Sequence, residues 1–157
     1  MVYAPDKKHG KNLRKGRFSE QGRIYLLTCV SCRRQRFFNN FFCSRLVIQS
    51  LIQEQPRAAT LCFVLMPDHL HWLIQLQQDL SLSTIMQSMK SRSSHNINRL
   101  LGRTGSVWQP GYHDHGLRRE EDVKDTARYI IANPIRAGLV ASVMEYPHWD
   151  AVWIEER

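Results

Sequence analysis

Apolar positions along this chain fall into runs, alternations and helical spacings that mark out its elements in order. Residues 23–31, Arg-Ile-Tyr-Leu-Leu-Thr-Cys-Val-Ser, are dense in β-formers and short, which predicts a strand. Over residues 41–55 the apolar side chains fall at 42, 46, 47, 51 and 52, a helical spacing with Asn39 or Asn40 as cap and Pro56 beyond the end. Ala58–Met66 is a continuous apolar run of strand length, Pro67-Asp68 supplies a turn, and residues 69–77 resume as a second strand, so the stretch reads as a hairpin. Residues 81–101, apolar at 82, 85, 86, 89, 97, 100 and 101 and followed by Gly102, predict a long amphipathic helix. Residues 105–117 read as a loop with a short strand. A third helix is predicted over 120–133, with Glu120, Glu121 and Asp122 favoured by the dipole of its first turn and Pro134 closing it.

The order β-α-β-β-α-β followed by a C-terminal helix gives an α+β fold of the ferredoxin-like, split βαβ kind. It predicts a four-stranded antiparallel sheet with two helices on one face, the other face left open. Such a scaffold carries many activities, so function must be argued from side chains.

The most informative segment is Met66-Pro67-Asp68-His69-Leu70-His71-Trp72-Leu73. Side chains alternate along a strand, so His69 and His71 share one face while Leu70, Trp72, Ile74 and Leu76 form an apolar row on the other. That row belongs against the helices, which puts both imidazoles on the open face. Two neutral imidazoles at this spacing can ligate one divalent cation without backbone distortion; the plainer alternative is a pair of ordinary surface or core histidines. His113 and His115 flank Asp114 at the same spacing, in a polar segment with no apolar row to fix their face. They rank below the first pair, as candidates for supporting a ligand or touching a phosphate.

On the third helix Tyr129 and Asn133 lie four residues apart, so both project from one side. Taken alone, this fits a half-buried core tyrosine and an Asn-Pro helix terminator equally well.

Charge then changes the picture. The 157 residues carry 22 Lys and Arg against 14 acids, a net +8 that suits a polyanionic partner. Seven basic residues lie from Lys7 to Arg23 with only Glu20 opposing them, and Arg33, Arg34 and Arg36 follow. Residues 1–22 are therefore read as a basic arm, either solvated or gripping phosphates through Arg14, Lys15 and Arg17. Residues 23–150 form the domain and 151–157 a short tail. Lys90, Arg92, Arg99 and Arg103 on the long helix extend the basic surface expected to meet a nucleic acid, and Trp108, Tyr112 and Phe18 are candidates for base stacking or for the core. The lone CxxC at Cys29 and Cys32 has no second pair to complete a zinc site, so Cys29, Cys32, Cys43 and Cys62 are expected reduced and buried. With no signal peptide, spanning segment or repeat visible, the expected setting is the cytoplasm.

Together these motifs resemble the HUH-type single-tyrosine transposases, and within them the REP-associated branch linked to repetitive extragenic palindromes. The likeness is carried by Gly16-Arg17-Phe18-Ser19, by Met66 through His71, by Val107-Trp108-Gln109 with Tyr112-His113-Asp114, and by Tyr129-Ile130 through Asn133-Pro134 to Gly138-Leu139-Val140. It implies that His69 and His71 bind a divalent metal, magnesium or manganese, and that Tyr129 is the nucleophile. It makes Asn133 the third ligand, where relatives often have Gln, and it leaves any role of Asp68 open, since many relatives carry Asn there. The implied reaction cleaves single-stranded or hairpin DNA through a 5′-phosphotyrosine with release of a 3′-hydroxyl, carried out by a monomer or homodimer. Two other readings compete: a non-catalytic nucleic-acid-binding module on the same fold, and a small metal hydrolase that uses water.

Overall fold

The computed structural model describes residues 19–118 and 120–153. Its elements in chain order are β1 (Ile24–Val30), α1 (Phe41–Gln53), β2 (Ala58–Met66), β3 (His69–Leu76), α2 (Leu82–Leu101), β4 (His113–Gly116), α3 (Glu120–Ile131), the single-turn α4 (Asn133–Arg136) and β5 (Trp149–Ala151). Asn40 is the cap of α1, its side chain accepting from the Phe42 and Cys43 amides. Ser81 caps α2, and Gly102 closes it in the left-handed conformation at φ 63°. Among the described residues no helix is long and apolar enough to cross a membrane.

The sheet is antiparallel in the order β4-β1-β3-β2-β5. The first four strands follow the predicted split βαβ plan. The fifth corrects the expected count: Trp149–Ala151 adds to the outer edge of β2, pairing Val64 with Trp149 and Cys62 with Ala151. Three residues give too short a pattern to be recognised in sequence, and this strand exists because the β2 edge offers it unpaired backbone groups.

Leu70, Trp72, Ile74 and Leu76 are fully buried against α1 and α2, together with Leu27, Leu65, Val47, Leu51, Ile85 and Met89. Each such aliphatic contributes about 1.5–3 kcal/mol by leaving water. The opposite face is not open, contrary to expectation. Leu26, Cys62, Val64, Met66 and Leu73 form a second apolar cluster there, covered by Val123, Ala127 and Ile130 of α3. Positions 123, 127 and 130 make a helical stripe that needs an apolar partner, and this half of the sheet supplies it.

The third helix is also shorter than predicted. It ends at Ile131, and Asn133 begins α4 with Pro134 next to it. Proline has no N–H to continue the ladder, so nucleophile and ligand candidates stand on either side of a break. All four cysteines are free; Cys29, Cys43 and Cys62 are buried and Cys32 is partly exposed. Burial pushes the Cys29 and Cys62 thiols up to about 12, where they are inert.

Candidate active site

Register, more than sequence distance, assembles this site. β3 lies between β1 and β2, so His71 pairs with Thr28 on one side and Val64 on the other, and His69 pairs with Val30 and Met66. Thr28 in turn pairs with His113 of β4, and Leu26 with His115. Paired residues project to the same side of a sheet. His69, His71, His113 and His115 therefore share the face that α3 covers.

The two rings of the central pair lie 4.9 Å apart, centroid to centroid, nearly perpendicular at 87°. Each has its Nδ1 held. Asp68 Oδ1 lies 2.7 Å from His69 Nδ1, and a carboxylate only accepts, so the hydrogen sits on Nδ1 and leaves Nε2 as the available donor atom. Thr28 Oγ1 lies 3.1 Å from His71 Nδ1, which gives the second ring the same polarity when the hydroxyl accepts. Asp68 is anchored from its other oxygen by Arg34 Nη1 at 3.2 Å. Burial by itself would raise the Asp68 carboxyl, but the bond to His69 and the Arg34 guanidinium outweigh it and hold the group below its usual range. Burial pushes the His71 imidazole down to about 3, with His69 and Arg136 adding to the shift, so this ring stays neutral.

Tyr129 is half-buried on the second cluster. Arg136, one turn past the helix break, ties it to Asn133: Nη2 of Arg136 donates to the Tyr129 carbonyl and to Asn133 Oδ1, both at 2.7 Å. The same guanidinium lies 4.0 Å from the centroid of the Tyr129 ring. On its β4 side Tyr129 borders a cavity of about 940 Å³, lined also by His113, His115, Arg118 and Thr126. His69 and His71 are not among its lining residues.

The structure separates the expected DNA-contacting residues by location. Arg14, Lys15, Arg17 and Phe18 lie outside the described residues. Arg33, Arg34 and Arg36 are exposed on the loop beside the Asp68 turn, the first two at positive φ of 54° and 52°. Arg99 is exposed on α2, whereas Arg103 stacks over Phe37 at 4.8 Å. Lys90 Nζ donates to the carbonyls of Gln109 and Gly111, and Arg92 Nη1 binds the fully buried Glu54 at 3.2 Å. Trp108 is 5% exposed and its Nε1 donates to Ser93 Oγ at 2.9 Å, within the α1–α2 core. Tyr112 packs beside that core, its hydroxyl 3.0 Å from Ser83 Oγ.

Sequence reasoning gave no part to Thr28 or Arg136 and left Asp68 open. Thr28 becomes visible only through strand register. Arg136, seven residues beyond Tyr129, could have been noticed from its spacing.

The IS200-like transposase family model matches residues 19–133, which include the histidine pair, Tyr129 and Asn133. The chain is 28% identical over 99 residues to a Haemophilus influenzae protein assigned to the REP-associated tyrosine transposases, covering 57% of this chain and 56% of that one. It is 27% identical over 86 residues to the REP-associated tyrosine transposase of Escherichia coli K12, covering 54% and 49%. It thus spans about half the length of the curated relatives it matches. Among solved structures, a REP-associated tyrosine transposase bound to a REP hairpin superposes with a TM-score of 0.70 at 20% identity, over 85% of this chain and 79% of that one. At that identity the superposition speaks to the fold. With the family model spanning most of the chain and both candidate motifs, this protein belongs to the IS200-like transposase family.

Proposed function

We propose that this protein is a metal-dependent single-strand DNA endonuclease and strand transferase that acts on hairpin-forming, REP-like palindromic DNA through Tyr129. The observation that carries the reading is that a neighbouring side chain engages the Nδ1 of each histidine. Asp68 and Thr28 engage both Nδ1 atoms, and both rings lie on the sheet face covered by the tyrosine helix. Rings without a ligand gain little from being fixed this way, whereas a cation needs it.

The donor set fits a divalent ion. Among the described residues no group of three His, Cys, Asp or Glu side chains is placed to hold a metal, so a third donor has to be of another kind. Asn133 would supply an amide oxygen, and with His69 and His71 it would make a mixed nitrogen and oxygen set suited to manganese or magnesium. When bound, such an ion polarises a non-bridging phosphate oxygen.

The chain's own groups do the rest. The Tyr129 oxygen forms a bond to phosphorus while the bond from phosphorus to the 3′ oxygen breaks. The 5′-phosphotyrosine keeps the phosphodiester linkage for rejoining, and the 3′ oxygen leaves as a hydroxyl after taking up a proton. A water or a neighbouring base takes the phenolic proton as the bond to phosphorus forms. Arg33, Arg34 and Arg36, exposed beside the Asp68 turn, would hold the DNA backbone next to the histidines.

The relative solved with a REP hairpin names the substrate to test. A labelled single-stranded oligonucleotide carrying a palindromic hairpin, incubated with the protein and manganese, should give a denaturant-resistant protein–DNA adduct. Binding without cleavage would instead show a binding module, and cleavage without adduct a hydrolase that uses water.

A further inference from the structure

We infer that Arg136 is a positioning residue for the cleavage step: it fixes Tyr129 and Asn133 relative to each other across a break in the helix. The inference rests on the transposase reading and adds to it a residue with no role so far.

In one continuous helix, residues four apart keep their relation through the backbone alone. Here that guarantee is lost, because α3 stops at Ile131 and a separate turn starts at Asn133. Arg136 spans the gap with three contacts from one planar group. Its Nη2 donates to the carbonyl of Tyr129 and to the side-chain oxygen of Asn133, and the guanidinium carbon sits over the Tyr129 ring, 4.0 Å from its centroid. The carbonyl bond ties the end of α3 to α4. The ring contact restricts the phenol's rotation. The amide bond sets which way the Asn133 oxygen points.

One detail favours a role in the reaction over simple helix capping. An amide oxygen has two lone pairs, so the contact with Arg136 leaves one for a cation and orients it. Lysine at this position would keep the charge but could neither lie flat on the ring nor bond in two directions from one plane.

The test uses the full chain with Arg136→Ala and Arg136→Lys, a palindromic hairpin oligonucleotide and manganese. Misplacing the nucleophile by about an ångström should lower kcat for adduct formation roughly 100-fold in both variants, with KM for DNA little changed. Manganese affinity, measured by electron paramagnetic resonance without DNA, should shift several-fold in Arg136→Ala, because Asn133 loses its orientation and the site loses a nearby positive charge. Full activity in Arg136→Lys, or a kcat and metal affinity both near wild type in Arg136→Ala, would overturn the inference and leave a helix-end contact. If Arg136→Ala folds poorly, Arg136→Lys still decides through kcat. Wild-type protein is the control: failure to form any adduct would count against the transposase reading itself, while the manganese comparison would still judge Arg136.

Discussion

Asp68 holds His69 in one tautomer: its Oδ1 lies 2.7 Å from the ring Nδ1, and Arg34 secures its other oxygen at 3.2 Å. A side chain left unassigned from sequence thus becomes the group that holds the hydrogen on His69 Nδ1 and leaves Nε2 as the ligand atom. Replacing Asp68 with Ala should weaken manganese binding about 10- to 100-fold while the fold stays intact. Calorimetric titration would check this, and unchanged affinity would remove Asp68 from the site.

Tyr129→Phe deletes one oxygen from a half-buried ring that keeps its packing on the sheet. Adduct formation should vanish, DNA affinity should remain within a few-fold, and the melting temperature should hardly move. Cleavage at the wild-type rate would refute the assigned nucleophile.

His148 is 7% exposed, and among the described residues its Nδ1 has no hydrogen-bond partner. Burial lowers its pKa, and the nearby Arg45 adds to the effect. As pH falls through about 6.5 the unfolded chain takes up a proton that the folded ring resists, so this group costs stability on acidification. His148→Phe should therefore gain in melting temperature relative to wild type between pH 7.5 and pH 5. A difference that stays constant across that range would show that the ring does not titrate against folding.

Trp108 fills space between the sheet and α2, with its indole N–H satisfied by Ser93. Trp108→Ala should cost about 3–5 kcal/mol of stability, seen in urea unfolding. A variant that kept its stability but lost DNA affinity would return Trp108 to a base-stacking role.

Arg92 shares the buried Glu54 with Arg57, whose Nε lies 3.0 Å from the carboxylate. Arg92→Ala should cost stability in urea unfolding, by less than the roughly 3–5 kcal/mol of a fully stripped buried pair because Arg57 remains. DNA affinity should change little. A large loss of affinity at unchanged stability would assign Arg92 to the DNA surface instead.

Local rules carried most of the fold. Alternation from His69 to Leu76 set which residues face the helices, and the caps at Asn40 and Ser81 with Gly102 bounded two helices. The spacing of Leu70, Trp72, Ile74 and Leu76 was enough to put both imidazoles on the opposite face, because a strand's period of two leaves no other choice. Relations between distant segments were another matter. That Thr28 meets His71, that His113 and His115 share the same face, that β5 completes the sheet and that α3 covers the second face all depend on register and packing. Those contacts join residues many positions apart, and their energy exists only once the chain has closed on itself. Periodicity along the chain dictates the face each strand residue takes, and only the folded chain, by bringing remote segments into register, sets which side chains stand together.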